Sequence, residues 1–566
     1  MNRFFYQSLI AVLLFGTVTA KAQCDDEWTS HVRALPNGGL GNNLPRLLSD
    51  SFGNVYAYAV MVNTDSLNIS GTGISFPMTT TANNGFFCVK YAPDGAVQWI
   101  VPINSTGTCS PTGMQVDGQG NVYMSGNMRS QLTVHEQGII AGPEQGTGYF
   151  IIKLSANGDL LWSKSADYGY SSVGCINWHE DRLYFSIGFS DSLTFDSETY
   201  QASPENLTGN FDQVYGYIDE DGSLLNAWLI GGAGSLDVRA IGCNSSGCIV
   251  QGRFDLEMQF SETTLTTPAS LHYSLYQVFI SHDGQLEWAN NSINESDFVI
   301  HPHGLAVSDD GEWAVSSGFF EGYFSFGGHN MSLSSSKDAF FSRVDLVTGQ
   351  VEWLFRTNGA GNDASESIGL TSSNAVLAIS FSSNELEYQG EIFPNSQTDN
   401  SQDGLIMSLD SEGGRRCHKL VSGAGEQSVR FLHGYDDRYI LAMINFSSPF
   451  SIGSNTYSPV GVNDMLVIKT CLPCDTLTSI TEPTTTNPTL HIYPNPASQS
   501  VRLQLSGNSQ QINAVEVTDM LGHAVLLQRL APTGQQLDIS SLASGIYTLA
   551  ATLQNGETLR QRLVVQ

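Results

Sequence analysis

By type and spacing, three kinds of residue in this chain could do chemistry: paired histidines, paired cysteines, and carboxylates set beside glycine. His301-Pro302-His303 puts two imidazoles two residues apart, hence on one strand face, a spacing that could ligate a metal. No carboxylate or third histidine stands in a fixed relation to the pair, so a solvated loop is the simpler reading. Cys471-Leu472-Pro473-Cys474 has the CxxC spacing of redox motifs and half-zinc sites. It follows a strand-like run, however, and has neither a second CxxC nor a helix N-terminus to lower a thiol pKa. Structural pairing, with Cys24 as a candidate partner, is the reading adopted. Cys243 and Cys248 flank Asn-Ser-Ser-Gly, a turn that would set the sulfurs face to face as a disulfide in a hairpin. Asp219-Glu220-Asp221-Gly222 is half of a calcium loop without the remaining ligands, and reads as a polar turn. The chain contains no Gly-x-Ser-x-Gly elbow, His-Glu-x-x-His zinc motif or Walker loop.

The third kind recurs. Gly231-Gly232-Ala233-Gly234 precedes Asp237, Gly359-Ala360-Gly361 precedes Asp363, and Ser422-Gly423-Ala424-Gly425 precedes Glu426. Glycine permits a tight chain crossing, which accounts for the recurrence on structural grounds. The functional reading is that Asp237, Asp363 and Glu426 form an acidic rim for calcium or a cationic partner, on loops held by a rigid scaffold. Other than this calcium, no metal or cofactor is expected. Carboxylate pairs for glycoside hydrolysis are a further reading, since residues 23–489 carry 51 acidic against 18 basic residues. That abundance makes any single pair uninformative without its separation in space.

The elements that must position these groups follow from composition and pattern. The chain has 566 residues and a net charge of −31, with 41% hydrophobic, 10% aromatic and only 14% charged residues. This is enough apolar material for a large core, and an anionic surface without a basic stripe excludes nucleic acid as a partner. Residues 1–22 read as a cleavable secretory signal: Arg3, an apolar run over 8–18, and Ala20-Lys21-Ala22 as the cleavage site. The run is too short to span a membrane, and no later segment is long enough to do so. Export places the nine cysteines in an oxidising compartment.

A repeat of about sixty-four residues dominates the rest of the chain up to its C-terminal module. Alternating apolar and polar runs bounded by Gly, Asn and Asp make each piece a short strand and each junction a tight turn. Three columns recur. The first is Trp28, Trp99, Trp162, Trp228, Trp288 and Trp353, with the tryptophan lost near Cys417-His418. The second, assigned to the third strand, is Phe87, Phe150, Tyr215, Phe279, Phe341, Ile406 and Leu466. The third, assigned to the second strand, is Phe76, Val134, Phe195, Phe260, Phe326, Tyr388 and Ile452. A four-stranded unit cannot bury both faces alone and must stack on its copies, and radial stacking leaves only short edges. The tryptophan column begins before any first strand and ends one strand early. Residues 27–35 should therefore complete the seventh unit as an N-terminal closing strand.

The units resemble the seven-bladed bacterial β-propeller repeat family over residues 24–474. The likeness is carried by strands such as Asn121-Val122-Tyr123-Met124-Ser125-Gly126, the pair Gly327-Gly328, Asp338-Ala339-Phe340-Phe341, and Asn157-Gly158-Asp159-Leu160-Leu161-Trp162. The resemblance implies secreted or surface proteins and no defined activity. Ser281-His282-Asp283-Gly284-Gln285-Leu286-Glu287-Trp288 approaches the Asp-box turn of sialidase propellers but has its Gly one place out of register. The clustered arginines such enzymes need are not apparent, since the basic residues are spread along the chain.

Residues 475–489 are Thr- and Pro-rich and read as a linker; residues 490–566 read as a small β-sandwich with balanced charge. This module resembles the type A C-terminal sorting domain of the type IX (Por) secretion system of Bacteroidota. The matching residues include Tyr493-Pro494-Asn495-Pro496, Asp519 and Gly522 of Asp-Met-Leu-Gly, Gly545 and Tyr547 of Gly-Ile-Tyr, and the closing run 562–565. The resemblance implies recognition by type IX machinery and delivery to the surface or medium. The expectation is an all-β chain, a seven-bladed propeller on 23–474 followed by the sandwich, acting as a non-enzymatic binding protein for a glycan or protein ligand. The alternative is a secreted glycan hydrolase using carboxylates in the propeller funnel.

Overall fold

The computed structural model describes residues 26–472 and 489–565, apart from 36–38, 41–45, 63–65, 70–74, 78–84, 136, 141, 143–145, 169–173, 205–209, 268–272, 295–298, 333, 373, 397–400, 437, 453–454, 461–462, 494, 496, 507–511, 520–522, 530–535 and 554–557. The signal segment, the linker, Cys24 and Cys474 lie outside the described residues. The chain divides into two compact units, Met1–Asp475 and Thr476–Gln566. Among the described residues every regular element is a β-strand.

Among the described residues of the first unit there are seven four-stranded antiparallel meanders, and none curls into a barrel of its own. Their first strands are Arg46–Ser49, Cys109–Val116, Cys175–His179, Leu236–Cys243, Val299–Val307, Asp363–Leu370 and Gln427–Gly434. In six sheets the fourth strand follows the third along the chain. In the seventh, the fourth place is taken by Asp26–Leu35, which pairs with Asp464–Cys471, Thr29 opposite Ile468 and Val32 opposite Met465. Each first strand packs against the first strand of the next sheet, and Gln427–Gly434 packs back on Arg46–Ser49.

A second set of links joins the sheets at their outer edges. Between its second and third strands each sheet sends out a short hairpin that pairs with the fourth strand, or the segment just after it, of the preceding sheet. Leu132–Val134 joins Val97–Ser105, Ser192–Phe195 joins Leu160–Tyr168, and Phe450–Ile452 joins Arg415–Gly423. Phe324–Phe326 joins Ile293–Asn294, and single bridges tie Gln259 to Gly231 and Glu387 to Asn358. Ser66–Ile69 of the first sheet joins Asp26–Leu35, the fourth strand of the seventh. Edges that would otherwise offer unpaired N–H and C=O groups are thereby covered.

This geometry corrects two of the columns. The residues Phe76 to Ile452 lie in these outer hairpins and not in the second strands, because the hairpins from the second sheet onward turn a bulky residue onto the neighbouring sheet. Val134, Phe195, Phe260, Phe326, Tyr388 and Ile452 are all buried. The column Phe87 to Leu466 does lie in the third strands and is buried throughout, but it does not mark one position. Phe279 stands opposite Trp288, whereas Phe150 stands three residues before Lys153, the partner of Trp162. A strand buried on both faces is apolar at every position, so pattern alone cannot set its register.

In the second unit, Thr489–Tyr493, Ser500–Ser506 and Gln536–Asp538 form one sheet. Ala524–Arg529, Ile512–Thr518, Gly545–Leu553 and Thr558–Val565 form another. Alternate residues such as Leu503, Val517, Leu549 and Leu563 meet in a shared core.

Candidate functional site

The tryptophan column works as a set of staples between sheets. Trp99 Nε1 donates to the Ala156 carbonyl at 2.9 Å, Trp162 to Glu220 at 2.9 Å, Trp288 to Leu346 at 2.8 Å and Trp353 to Ser411 at 2.9 Å, each acceptor lying in the next sheet. Trp28, on Asp26–Leu35, reaches the Pro93 carbonyl of the first sheet at 3.0 Å. A buried cation often shares the acceptor: Lys90 with Trp99 at 3.1 Å, Lys153 with Trp162 at 2.9 Å. Trp228 departs from the column. Leu224 stands opposite Ile218 as Leu160 does opposite Leu154, so Asn226 takes the staple place and Trp228 falls two residues beyond it.

Many of the carboxylates are used up in turns and buried ties. Asp50, Asp117, Asp219 and Asp410 each accept two backbone N–H bonds inside their own turn. The Asp219 turn is thus a polar turn, held without a metal ligand set. Asp338, Asp403 and Asp464 are almost wholly buried in third strands; Asp403 and Asp464 each take a bond from the preceding loop, and Asp338 takes one from Ser334 at the start of its own strand.

Held by these staples, the seven first strands all contribute to one cavity of about 610 Å³. Five of them break register at a single extra residue: Thr112, Arg239, His303, Glu366 and Arg430. A β-bulge re-aims the extra side chain, and here it does so at the same level in five sheets. Thr112, Arg239, His303 and Glu366 line the cavity, and Arg430 Nη1 lies 3.3 Å from Glu366 Oε1. Gly126, Gly252 and Gly318 stand beside three of the bulges, where a Cβ would strike the first-strand backbone. Those glycines let the bulged strand come close.

The polar groups at this level form an interlocked set. Asp237 Oδ2 accepts from Arg239 Nη2 at 2.7 Å and Arg253 Nε at 3.0 Å. Arg253 Nη1 lies 2.8 Å from His301 Nε2, and its guanidinium covers the Tyr273 ring. His303 Nδ1 donates to the Ser365 carbonyl at 3.0 Å, with Glu366 Oε2 at 4.0 Å. Arg46 Nη2 donates to the Thr112 carbonyl at 3.1 Å. Burial, reinforced by Arg253 and Arg239, pulls His301 down to about 3. Burial, with Arg239 and Arg430 opposing Glu366, lowers His303 as well. Both imidazoles are therefore neutral at pH 7. Cys175 also lines the cavity, and burial raises its thiol to about 12.

His301 and His303 thus occupy a first strand, Val299–Val307, and not a solvated loop; the bulge between Pro302 and Gly304 brings His303 to the cavity. The arginines spread along the sequence converge as well, with Arg46, Arg239, Arg253 and Arg430 arriving from three sheets. The three proposed rim carboxylates do not assemble. Asp237 is held by two arginines, Asp363 is buried and accepts from Ser383 Oγ at 2.6 Å, and Glu426 is exposed on a third sheet. The glycine loops turn the two aspartates inward onto partners of their own. Among the described residues, no group of three His, Cys, Asp or Glu side chains could hold a metal ion.

Cys243 and Cys248 form a disulfide. Cys471 is also disulfide-bonded, and so is Cys417, which carries no pairing signal in the sequence beyond standing where the tryptophan is lost. Cys88 and Cys175 are buried free thiols, and Cys109 is buried as well. In the second unit, Asn495 Nδ2 donates to the Arg562 carbonyl and its Oδ1 accepts from Val564 N, both at 2.8 Å. This pins Asn495 to the closing strand. Asp519 takes the His523 N–H at 2.9 Å, Tyr547 Oη donates to the Ala543 carbonyl at 2.8 Å, and Gly545 pairs with Val565. Tyr493 ends the first strand opposite Arg502. Pro494, Pro496 and Gly522 lie outside the described residues.

The pH response of Asp363 follows from its burial. Desolvation, partly offset by Ser383, raises its carboxyl to about 6. The folded state therefore favours the protonated form, and that contribution is present below the ordinary value near 4 and lost as pH rises through about 6. Asp363→Asn is expected to raise stability by about 2 kcal/mol at pH 8, an advantage that vanishes by about pH 4, as read by thermal melting.

Comparison with known proteins bears first on the tail. Residues 491–566 match the secretion system C-terminal sorting domain family, Por_Secre_tail. A tail of this family marks export through the type IX machinery, so the chain is a cell-surface or secreted protein. No helix among the described residues is long and apolar enough to cross a membrane. No curated protein matches the chain. Solved structures similar to it include a europium-containing methanol dehydrogenase (10% identity, 76% of this chain and 82% of that one, TM-score 0.31). Another is the parainfluenza virus 5 hemagglutinin-neuraminidase ectodomain (9%, 78% and 83%, TM-score 0.32). A third is the extracellular domain of the putative one component system BT4673 from B. thetaiotaomicron (9%, 94% and 98%, TM-score 0.18). At these scores the likenesses carry no argument about function.

Proposed function

We propose that residues 23–474 form a seven-bladed β-propeller that acts outside the cell as a non-enzymatic binding protein. In this reading residues 1–22 are removed on export, 475–489 are a linker, and 490–566 are the sorting domain. The reading is supported by the cyclic packing of the seven first strands and by the two outer links, staple and hairpin, that recur around all or nearly all of the sheets. Asp26–Leu35 is then the closing strand.

The observation that carries the binding role is the state of the polar groups in the cavity. Glu366 is held by Arg430, His301 and His303 are neutral and hydrogen-bonded, and the Cys175 thiol is pushed far from its reactive range. Acid–base catalysis needs a group free to exchange a proton near the working pH, whereas these side chains are held in fixed hydrogen bonds and ion pairs. The mature protein, screened by calorimetry and product analysis against glycan and glycoside panels, is expected to bind without turnover. Turnover abolished by Glu366→Gln would defeat this reading in favour of a hydrolase.

A further inference from the structure

One junction between sheets lacks its tryptophan and carries a cysteine instead. A staple tryptophan stands opposite the third-strand residue just before a register break: Trp99 opposite Lys90, Trp162 opposite Lys153, Trp353 opposite Arg343. Cys417 holds the same place in the sixth sheet, opposite Ser408 and just before the break at Leu409. It is buried and disulfide-bonded. The place that faces a staple from the next sheet is fixed as well. Two residues before the fourth-strand residue paired on the far side of the break stand Gly95, Gly158, Gly222, Gly284, Gly349 and Gly413, with φ from +73° to +89°. A Cβ built on Gly158 would lie 3.2 Å from the Trp99 ring, one on Gly222 3.2 Å from Trp162, and one on Gly413 3.3 Å from Trp353. In the seventh sheet the residue paired beyond the break is Asp26, opposite Thr470, and two places before it is Cys24.

We propose that Cys417 is bonded to Cys24, a covalent staple where the sixth sheet meets the seventh. The next pair along the same two strands is already in contact: Lys419, two residues past Cys417, donates from Nζ to Asp26 Oδ1 at 2.9 Å, and Asp26 is two residues past Cys24. The glycine of the other sheets serves a tight turn from third strand to fourth. Here the fourth strand comes from the other end of the chain, no such turn is needed, and the place can carry a side chain. Cys471 is aimed elsewhere. It takes the place of Asp345 and Asp410, whose carboxylates accept backbone N–H bonds inside their own turns. Cys88 and Cys175 belong to the first and third sheets. Formation of the bond removes two protons and two electrons from the two thiols. By exchange they pass to the disulfide of an oxidising catalyst outside the cytoplasm, which is reduced to a dithiol. Closure is therefore completed after export, and a strand at the very start of the mature chain, where ends ordinarily fray, is held covalently.

The test is a peptide map of the mature full-length protein, digested with trypsin without reduction and read by mass spectrometry. The sequence separates the outcomes, because Cys24 falls in peptide 23–33, Cys417 in 417–419, and Cys471 and Cys474 together in 470–502. Peptide 417–419 is expected to be joined to 23–33, and the joined mass to vanish on reduction. Joining of 417–419 to 470–502, or its recovery as a free thiol, would overturn the proposal. Thermal melting adds a second check on the oxidised protein. Cys24→Ser and Cys417→Ser should each lower the melting temperature by the same amount, about 3 °C or more, and the double variant should fall no further. Unequal losses, or losses that add in the double variant, would show that the two sulfurs act separately and would overturn the bond.

Discussion

Val32→Asp is expected to prevent cooperative folding of the first unit, although the residue stands at the far N-terminal end of the described chain. Val32 is fully buried. Its backbone pairs with Met465 on one side and Ile69 on the other, and its side chain belongs to a core shared with Leu47, Val55, Phe87, Leu441 and Met443. These residues come from the first and the seventh sheets, up to 396 positions apart in the chain. A carboxylate placed there has no partner, and an unpaired buried charge costs more than about 4 kcal/mol, a large part of the stability of a typical domain. Urea denaturation followed by tryptophan fluorescence should show the loss. Thr29→Asp, on the exposed side of the same strand, is expected to stay within about 0.5 kcal/mol of the parent. A Val32→Asp protein that unfolds at the parental urea concentration would show that the strand contributes nothing to the core.

The second large effect concerns the polar latch at the start of that strand. Asp26 Oδ1 accepts from Lys419 Nζ at 2.9 Å and from Thr470 Oγ1 at 2.6 Å, and its Oδ2 accepts from Asn455 at 2.7 Å. Lys419 and Asp26 are both nearly buried, with side chains 5% and 7% exposed. Asp26→Ala leaves the Lys419 ammonium enclosed without its counter-charge and is expected to cost about 3–5 kcal/mol. Adding Lys419→Met should recover most of that loss, since the expense lies in the stranded charge. Burial opposes ionisation of Asp26, but the bonds from Thr470 and Lys419 outweigh it and set its pKa below 3.8. The latch is therefore at full strength above pH 4 and weakens as acid protonates the carboxylate. Thermal melts of the single and double variants at pH 7 check the first claim; a single variant as stable as the parent would refute it.

The legibility of this architecture in the sequence varies with the kind of signal. The tryptophans reveal the number of sheets because each is a large indole with one donor and one acceptor to reach, so its spacing cannot drift far. Even so Trp228 misleads, being two residues past the equivalent place. A companion signal lies in the basic residues: Lys90 and Lys153 each precede a staple tryptophan by nine residues, and Arg343 precedes Trp353 by ten. Buried cations at such spacing mark the shared carbonyl acceptor. The buried aspartates of the third strands look like surface charge in a bare sequence, which inflates the expectation of acidic rims and carboxylate pairs.

The cavity chemistry cannot be read in advance for a different reason. A β-bulge is a change of pairing and leaves no mark in composition, so the exit of Arg239, His303, Glu366 and Arg430 from the alternating pattern appears only when the partner strand is known. Arg46 and Arg430 lie 384 residues apart in sequence. Only the return of the last sheet onto the first brings them to one wall. In the tail the position is reversed, since the matching motifs are local runs of residues and Asn495 does its work within a single short module.

The most direct measurement is a crystal structure of the mature chain. Seven four-stranded sheets are expected around one central cavity, with Asp26–Leu35 hydrogen-bonded to Asp464–Cys471 and Trp28 on the Pro93 carbonyl. An open row of sheets, a different number of them, or residues 26–35 paired elsewhere would contradict this arrangement.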